Sequence, residues 1–227
     1  MGNPFDVNTI AFTMLGYPLS YIELVGTILY LASVWLIARQ NMLTWPVGIV
    51  SVLLYMALFY QIQLYSDALE QAYYLVASAY GWWLWSSRRR QAEQAFVPYV
   101  STPRTLGLVL LLTVVLAAAL SGLMSRIHEL LPTLFPIPAA FPYLDALTTV
   151  MSFSAMWLMA QKRLESWVYW IIVDVIGIGL YYVQGVRFIS LLYVILLGLA
   201  INGLVSWLRS ARLLGLHESS VRGERLN

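Results

Sequence analysis

The sequence predicts an all-α integral membrane protein with seven transmembrane helices, arranged 3+1+3 as two parallel triple-helix repeats. Three observations carry that prediction. The 227 residues are 60% hydrophobic and only 11% charged, with a mean hydropathy of +0.74, whereas an average soluble domain is about 25% charged. A chain this apolar cannot cover itself with polar surface, so a lipid bilayer is its expected solvent. Second, seven segments each approach the roughly 20 apolar residues that cross a bilayer. Third, the chain matches itself at a constant offset of 122 residues.

The elements follow in order. Residues 1–17 contain no Lys or Arg, so no secretory n-region is read there, and they form an extracytoplasmic N-terminal segment. The expected spans are 18–38, 43–62, 68–86, 104–124, 143–161, 167–185 and 188–208. Hydrocarbon offers no partners for backbone polar groups, so each span is expected to be a helix. The breaks between them carry turn or charge signals: Arg39-Gln40-Asn41, Arg88-Arg89-Arg90, the Pro-rich stretch from Pro132 to Pro142, Lys162-Arg163 and Gly185-Val186-Arg187. Pro46 falls near a helix start, where its missing N–H costs little. The resulting division is a first triple-helix unit (18–86), a cytoplasmic loop (87–103), a linker helix (104–124), a second triple-helix unit (143–208) and a cytoplasmic tail (209–227).

Orientation comes from the basic residues flanking the spans. Arg126 and Arg187 lie on the N-terminal side. On the opposite side lie Arg39, Arg88, Arg89, Arg90, Arg104, Lys162, Arg163, Arg209, Arg212, Arg222 and Arg225. Two against eleven places the N-terminus outside and the C-terminus in the cytoplasm.

The self-match pairs Glu23 with Asp145, Trp35 with Trp157, Leu36 with Leu158, Ala38 with Ala160, Trp45 with Trp167, Tyr60 with Tyr182, Gly81 with Gly203 and Trp85 with Trp207. Leu and Ala matches are common between apolar helices, but three Trp pairs at one gapless offset are not. A shift of four helices restores the direction of crossing, so the two units run parallel. Repeats related in this way occur in transporters, whose substrate sites lie between the halves near the midplane.

Asp174, near the centre of the sixth span, is the most informative polar residue. An acid at that depth costs about 2.5–3.5 kcal/mol on insertion scales, and function is its default explanation. The single Lys is Lys162, in a loop, and no Arg is at midplane depth. The acid is therefore protonated, solvated or matched by a cationic ligand, or it is a neutral group bonded within the bundle. Trp167, Trp170 and Asp174 share one helix face, which Tyr181 extends. Indoles beside a carboxylate suit a flat cationic ring. Trp167 also fits an interfacial anchor. Gln71, Tyr74 and Ser78 make a second polar face, preceded by Asp67 and Glu70, which also fit a solvated helix start. Asn202 beside Gly203 fits either a ligand contact or close interhelical packing. Glu23 and Asp145, near the outer surface, either attract cations or are simply hydrated.

Other chemistries are excluded. There are no cysteines and hence no thiolate sites. No phosphate-binding glycine loop precedes a Lys-Ser/Thr pair. His128 and His217 lack metal-ligand spacing. No nucleophile–base constellation is present, so neither an enzyme nor a metal or other cofactor is expected. The net charge of +2, scattered over short loops, gives no reason to expect nucleic acid. A retinal protein would need a membrane Lys, and a receptor would need a larger cytoplasmic output surface than these loops offer.

Five stretches together resemble the PnuC family of nicotinamide riboside transporters. They are Phe59-Tyr60-Gln61-Ile62-Gln63-Leu64-Tyr65, Tyr80-Gly81-Trp82-Trp83-Leu84-Trp85, the Trp-x-x-Trp element in Glu165-Ser166-Trp167-Val168-Tyr169-Trp170, Ala200-Ile201-Asn202-Gly203 and Ile22-Glu23-Leu24-Val25-Gly26-Thr27. The resemblance spans about residues 20–208. It implies a 3+1+3 arrangement related to SWEET transporters and a place in the bacterial inner membrane. It also implies facilitated diffusion of a nucleoside that a cytoplasmic kinase then phosphorylates, and a homo-oligomer with a trimer as the candidate. By matching position, Trp167 and Trp170 would frame the substrate, and Gln71, Tyr74, Tyr193 and Asn202 would line the same cavity. Asp174 stands where the family is expected to carry Asn. Nicotinamide riboside and thiamine are both cations and tolerate an acid, whereas neutral riboflavin is disfavoured by it. Thiamine is the alternative cargo.

Overall fold

The computed structural model describes residues 3–62, 65–91, 97–130 and 141–224. The expected Pro-rich break lies almost wholly outside them. Seven helices are present among the described residues: α1 (Tyr21–Ala38), α2 (Thr44–Gln61), α3 (Tyr65–Gln91), α4 (Pro103–Leu130), α5 (Pro142–Ala160), α6 (Glu165–Val183) and α7 (Arg187–Glu224). By length and composition α1, α2, α4, α6 and α7 can each cross a membrane unaided. The remaining two carry acidic and other polar groups within their first turns and beyond, Asp67, Glu70 and Gln71 on α3 and Asp145, Thr148, Thr149 and Ser152 on α5. α7 runs well past the expected span end at 208.

The chain before α1 is ordered. It forms an antiparallel hairpin of β1 (Ile10–Met14) and β2 (Tyr17–Ser20). Leu15 and Gly16 occupy its turn with φ of +52° and +82°, the pattern of a two-residue hairpin loop. The expected first span therefore loses residues 18–20 to a strand. Pro18 is tolerated there because each strand of a lone hairpin is an edge. Ser20 then caps α1, its hydroxyl accepting from the Glu23 N–H at 3.4 Å. The hairpin is tied down at several points. Tyr17 donates to Glu23 Oε1 at 2.8 Å and stacks on Phe188 of α7 at 5.3 Å, while Gln61 at the end of α2 bonds the backbone of Phe5 and Val7. Burial, then the neighbouring Glu23, pushes the Tyr17 phenol above its ordinary range, so it stays a donor.

The duplication is visible in the backbone. Adding 122 to the bounds of α1 and α2 gives 143–160 and 166–183, against the observed Pro142–Ala160 and Glu165–Val183. The start of α3 maps onto the start of α7, residue 187. The turns match as well. Gln40 and Lys162, one offset apart, both adopt left-handed conformations, with φ of +59° and +65°. Each follows a helix closed by the same pair of bonds. Gln40 N donates to Ile37 O and Asn41 N to Leu36 O, and Lys162 N donates to Met159 O and Arg163 N to Leu158 O. This is the Schellman closure, in which a left-handed residue satisfies the last free carbonyls.

Packing repeats the same plan. Trp45 lies over Gly81 so closely that a Cβ there would sit 2.2 Å from the indole, and Trp167 lies over Gly203 with a corresponding 2.4 Å. The edge of Trp45 meets Trp85 at 5.1 Å and 89°, and that of Trp167 meets Trp207 at 5.4 Å and 88°. All four indoles are buried. Within each unit consecutive helices pack together, and the units meet through α1 with α7 and α3 with α5. α4 packs on α5, where Thr113 bonds Ser154 at 2.8 Å. On the basic side, the segment before α4 is stitched to the α5–α6 turn. Tyr99 N donates to Lys162 O and Leu164 N to Tyr99 O, both at 3.1 Å, and Arg163 donates to Ser101 Oγ at 2.6 Å.

Candidate functional site

Two acids and four tyrosines drawn from both units lie within electrostatic reach of one another. Asp174 lies midway along α6 and is 3% exposed. Tyr30, midway along α1, and Tyr193 of α7 are both within electrostatic reach of its carboxylate. Among the described residues no basic side chain pairs with Asp174. Tyr193 stacks on Tyr181 at 5.4 Å and 20°. It can approach α6 because Gly177 faces it, where a Cβ would come within 2.5 Å of the ring. From the other unit, Tyr74 donates to Glu70 Oε1 at 2.9 Å, and Glu70 is within electrostatic reach of Tyr30, Tyr181 and Tyr193. The Tyr55 hydroxyl bonds Thr27 at 2.6 Å beside this group. The site thus combines two carboxylates with phenols from α1, α3, α6 and α7. Such a set offers hydrogen bonds to hydroxyl groups and negative charge beside aromatic faces, the chemistry that holds a polar, aromatic cation.

The structure brings most of the expected site residues to this region. Asp174, Tyr74 and Tyr193 belong to it directly. Gln71 is half-buried, one residue along α3 from Glu70. Trp170 is half-buried and packs against both hydrophobic clusters, on the Asp174 face of α6. Trp167 is placed differently from its expected framing role. It is 1% exposed and enclosed by Gly203 and Trp207, and its buried indole N–H has no hydrogen-bond partner among the described residues. Asn202 is exposed. The packed face of α7 runs through Leu196, Ala200, Gly203 and Trp207, and Asn202 lies about 100° around the helix from Gly203. Tyr30 and Glu70 are the residues that sequence reasoning passed over or read as a solvated helix start. A phenol at the centre of an otherwise apolar span was the available signal for Tyr30.

An apolar groove of about 600 Å³ lies between Leu53, Met56 and Tyr60 of α2 and Ala68, Leu69 and Ala72 of α3. It contains none of the polar residues above. No group of three or more acids or histidines that could hold a metal occurs among the described residues.

Seven helices built as two parallel triple-helix units, with a polar site where the units meet, define a duplicated membrane transporter. The chain belongs to the nicotinamide mononucleotide transporter family, whose model matches residues 20–209. It is 33% identical over 212 residues to the nicotinamide riboside transporter PnuC of Escherichia coli (strain K12), covering 87% of this chain and 89% of that one. It is 30% identical over 208 residues to the riboflavin/roseoflavin transporter RibM of Streptomyces davaonensis, covering 91% and 93%. A solved structure, described as the crystal structure of the vitamin B3 transporter PnuC, shares the fold with a TM-score of 0.64 at 22% identity, covering 85% of this chain and 82% of that one. The protein is accordingly a multi-pass transporter of the inner membrane, taking a small-molecule substrate, and not an enzyme.

Proposed function

We propose that the protein imports nicotinamide riboside by facilitated diffusion, and that cytoplasmic phosphorylation then traps the cargo. The moving units are residues 18–86 and 143–208, joined by the linker helix 104–124, and they rock about the tyrosine-lined site. The two-to-eleven split of basic residues favours an outer N-terminus and a cytoplasmic C-terminus. Assembly as a homo-oligomer, with a trimer as the candidate, rests on the family resemblance.

The observation that carries this reading is Asp174, a buried acid with no basic partner among the described residues. A cationic cargo supplies the missing counter-charge. Nicotinamide riboside presents a positively charged pyridinium to Asp174 and Trp170, and ribose hydroxyls to Glu70, Gln71 and Tyr74. The Escherichia coli relative is named for the same cargo. A second reading, riboflavin, is favoured by the Streptomyces davaonensis relative and opposed by Asp174, since riboflavin is neutral.

Calorimetry on the purified protein in detergent tests the cargo, with nicotinamide riboside, thiamine and riboflavin titrated separately. Saturable heat from nicotinamide riboside is the expected result. Saturable heat from thiamine or riboflavin alone would reassign the cargo.

A further inference from the structure

Four indoles form a row at the basic end of the bundle, in the order Trp45, Trp85, Trp207, Trp167, with ring separations of 5.1, 6.3 and 5.4 Å. None is more than 2% exposed. The two central indoles reach out of their own units. Trp85, on α3 of the first unit, donates its N–H to Ala160 O of the second at 2.9 Å. Trp207, on α7 of the second unit, donates to Ile37 O of the first at 3.0 Å. Both acceptors lie in the last turn of a helix, and Ile37 O accepts from Gln40 N as well. The two turns add a further link each, again to the opposite unit. Gln40 donates to Ser210 Oγ of α7 at 2.7 Å, and Lys162 sits over the Trp85 ring at 5.4 Å.

These links lie between the tyrosine-lined site and the basic side of the membrane. Along α3, eleven residues separate Tyr74 from Trp85, a rise of roughly 16 Å. Along α7, the larger interval from Tyr193 to Trp207 is about 21 Å. Cargo leaving toward that side must therefore pass between α1 and α7 or between α3 and α5, and the indole bonds bridge those two seams.

We propose that this two-fold clasp is the gate at the basic end. Trp85 and Trp207 hold it shut through their indole N–H groups, and both bonds break each time the site opens to that side. The proposal rests on the reading above that the two units rock about the site, and it does not depend on which cargo is carried.

The absence of cysteine in the chain makes the test direct. A Gln40→Cys and Ser210→Cys pair, joined by a short reducible bis-methanethiosulfonate, fastens the clasp. Uptake of labelled nicotinamide riboside into proteoliposomes should fall to background on cross-linking and return on reduction. Uptake that persists with the cross-link formed would make the clasp a fixed hinge and overturn the gate. A second arm needs no cargo. Ser78, 3% exposed on α3 between Tyr74 and Trp85, is replaced by Cys as a reporter. Its labelling by a membrane-impermeant maleimide is then timed in inside-out and right-side-out vesicles. Trp85→Phe with Trp207→Phe keeps both rings and removes both donors, and should speed labelling from the basic side at least ten-fold. Unchanged labelling in a double variant that retains its melting temperature would also overturn the gate. If that variant does not fold, the cross-linking arm decides alone. An unlinked cysteine pair that carries no nicotinamide riboside, together with faster labelling of the Ser78→Cys reporter in the double Trp→Phe variant, would count against the cargo and not against the gate.

Discussion

At Asp174 the membrane interior holds an acid that no described basic side chain balances. Its removal should therefore weaken cargo without unmaking the protein. A charge-assisted contact contributes about 1.5–3 kcal/mol, equivalent to a loss of roughly 10- to 100-fold in affinity. Calorimetry on Asp174→Ala should show nicotinamide riboside binding weakened by that factor, with melting in detergent unchanged. An unaltered Kd would take Asp174 out of the site. This residue was legible in the sequence because an acid at midplane depth has few structural explanations. Tyr30 was not, since a phenol in a span reads equally well as packing. Asn202 and Gly203 show the limit from the other side. Adjacent residues on a helix differ by about 100°, so one packs under Trp167 while the other lies exposed, and the position of neither follows from spacing until the packed face is known.

Helices were the easiest elements to read, because length and apolarity delimit them, and the hairpin was the hardest. Its turn places Leu15 at positive φ, where Asn, Asp or Gly would have marked a two-residue loop. The Trp pairs announced the duplication, but not that each of Trp45 and Trp167 would press onto the glycine of its own unit. That fit depends on helix phase and crossing angle, which the sequence does not state. It carries a prediction. Gly81→Ala and Gly203→Ala each introduce a Cβ within 2.4 Å of an indole ring, and overpacking of this kind costs about 1–3 kcal/mol. Both should lower the melting temperature in detergent. Gly179→Ala, in a helix but with nothing within 4 Å of the added carbon, should be neutral or raise it, since alanine is favoured over glycine in helices by about 0.5–1 kcal/mol. Equal melting of all three variants would show that the indoles yield freely.

For the molecule as a whole, the distribution of basic residues predicts how it sits in the bilayer. A fluorescent protein fused after Asn227 should mature and fluoresce in the cytoplasm, whereas alkaline phosphatase at the same place should stay inactive. The reverse pattern would invert the orientation and the side on which the clasp opens. The 3+1+3 plan was legible from the gapless offset. The contacts between units were not, because they join residues far apart in sequence and leave no periodic trace. Trp85 and Trp207 each satisfy their donor on the opposite unit, so a lone triple-helix unit would leave its indole without that acceptor. Two copies of one unit, each lending the other a carbonyl, would meet that need, and the two units of this single chain stand to each other in that relation.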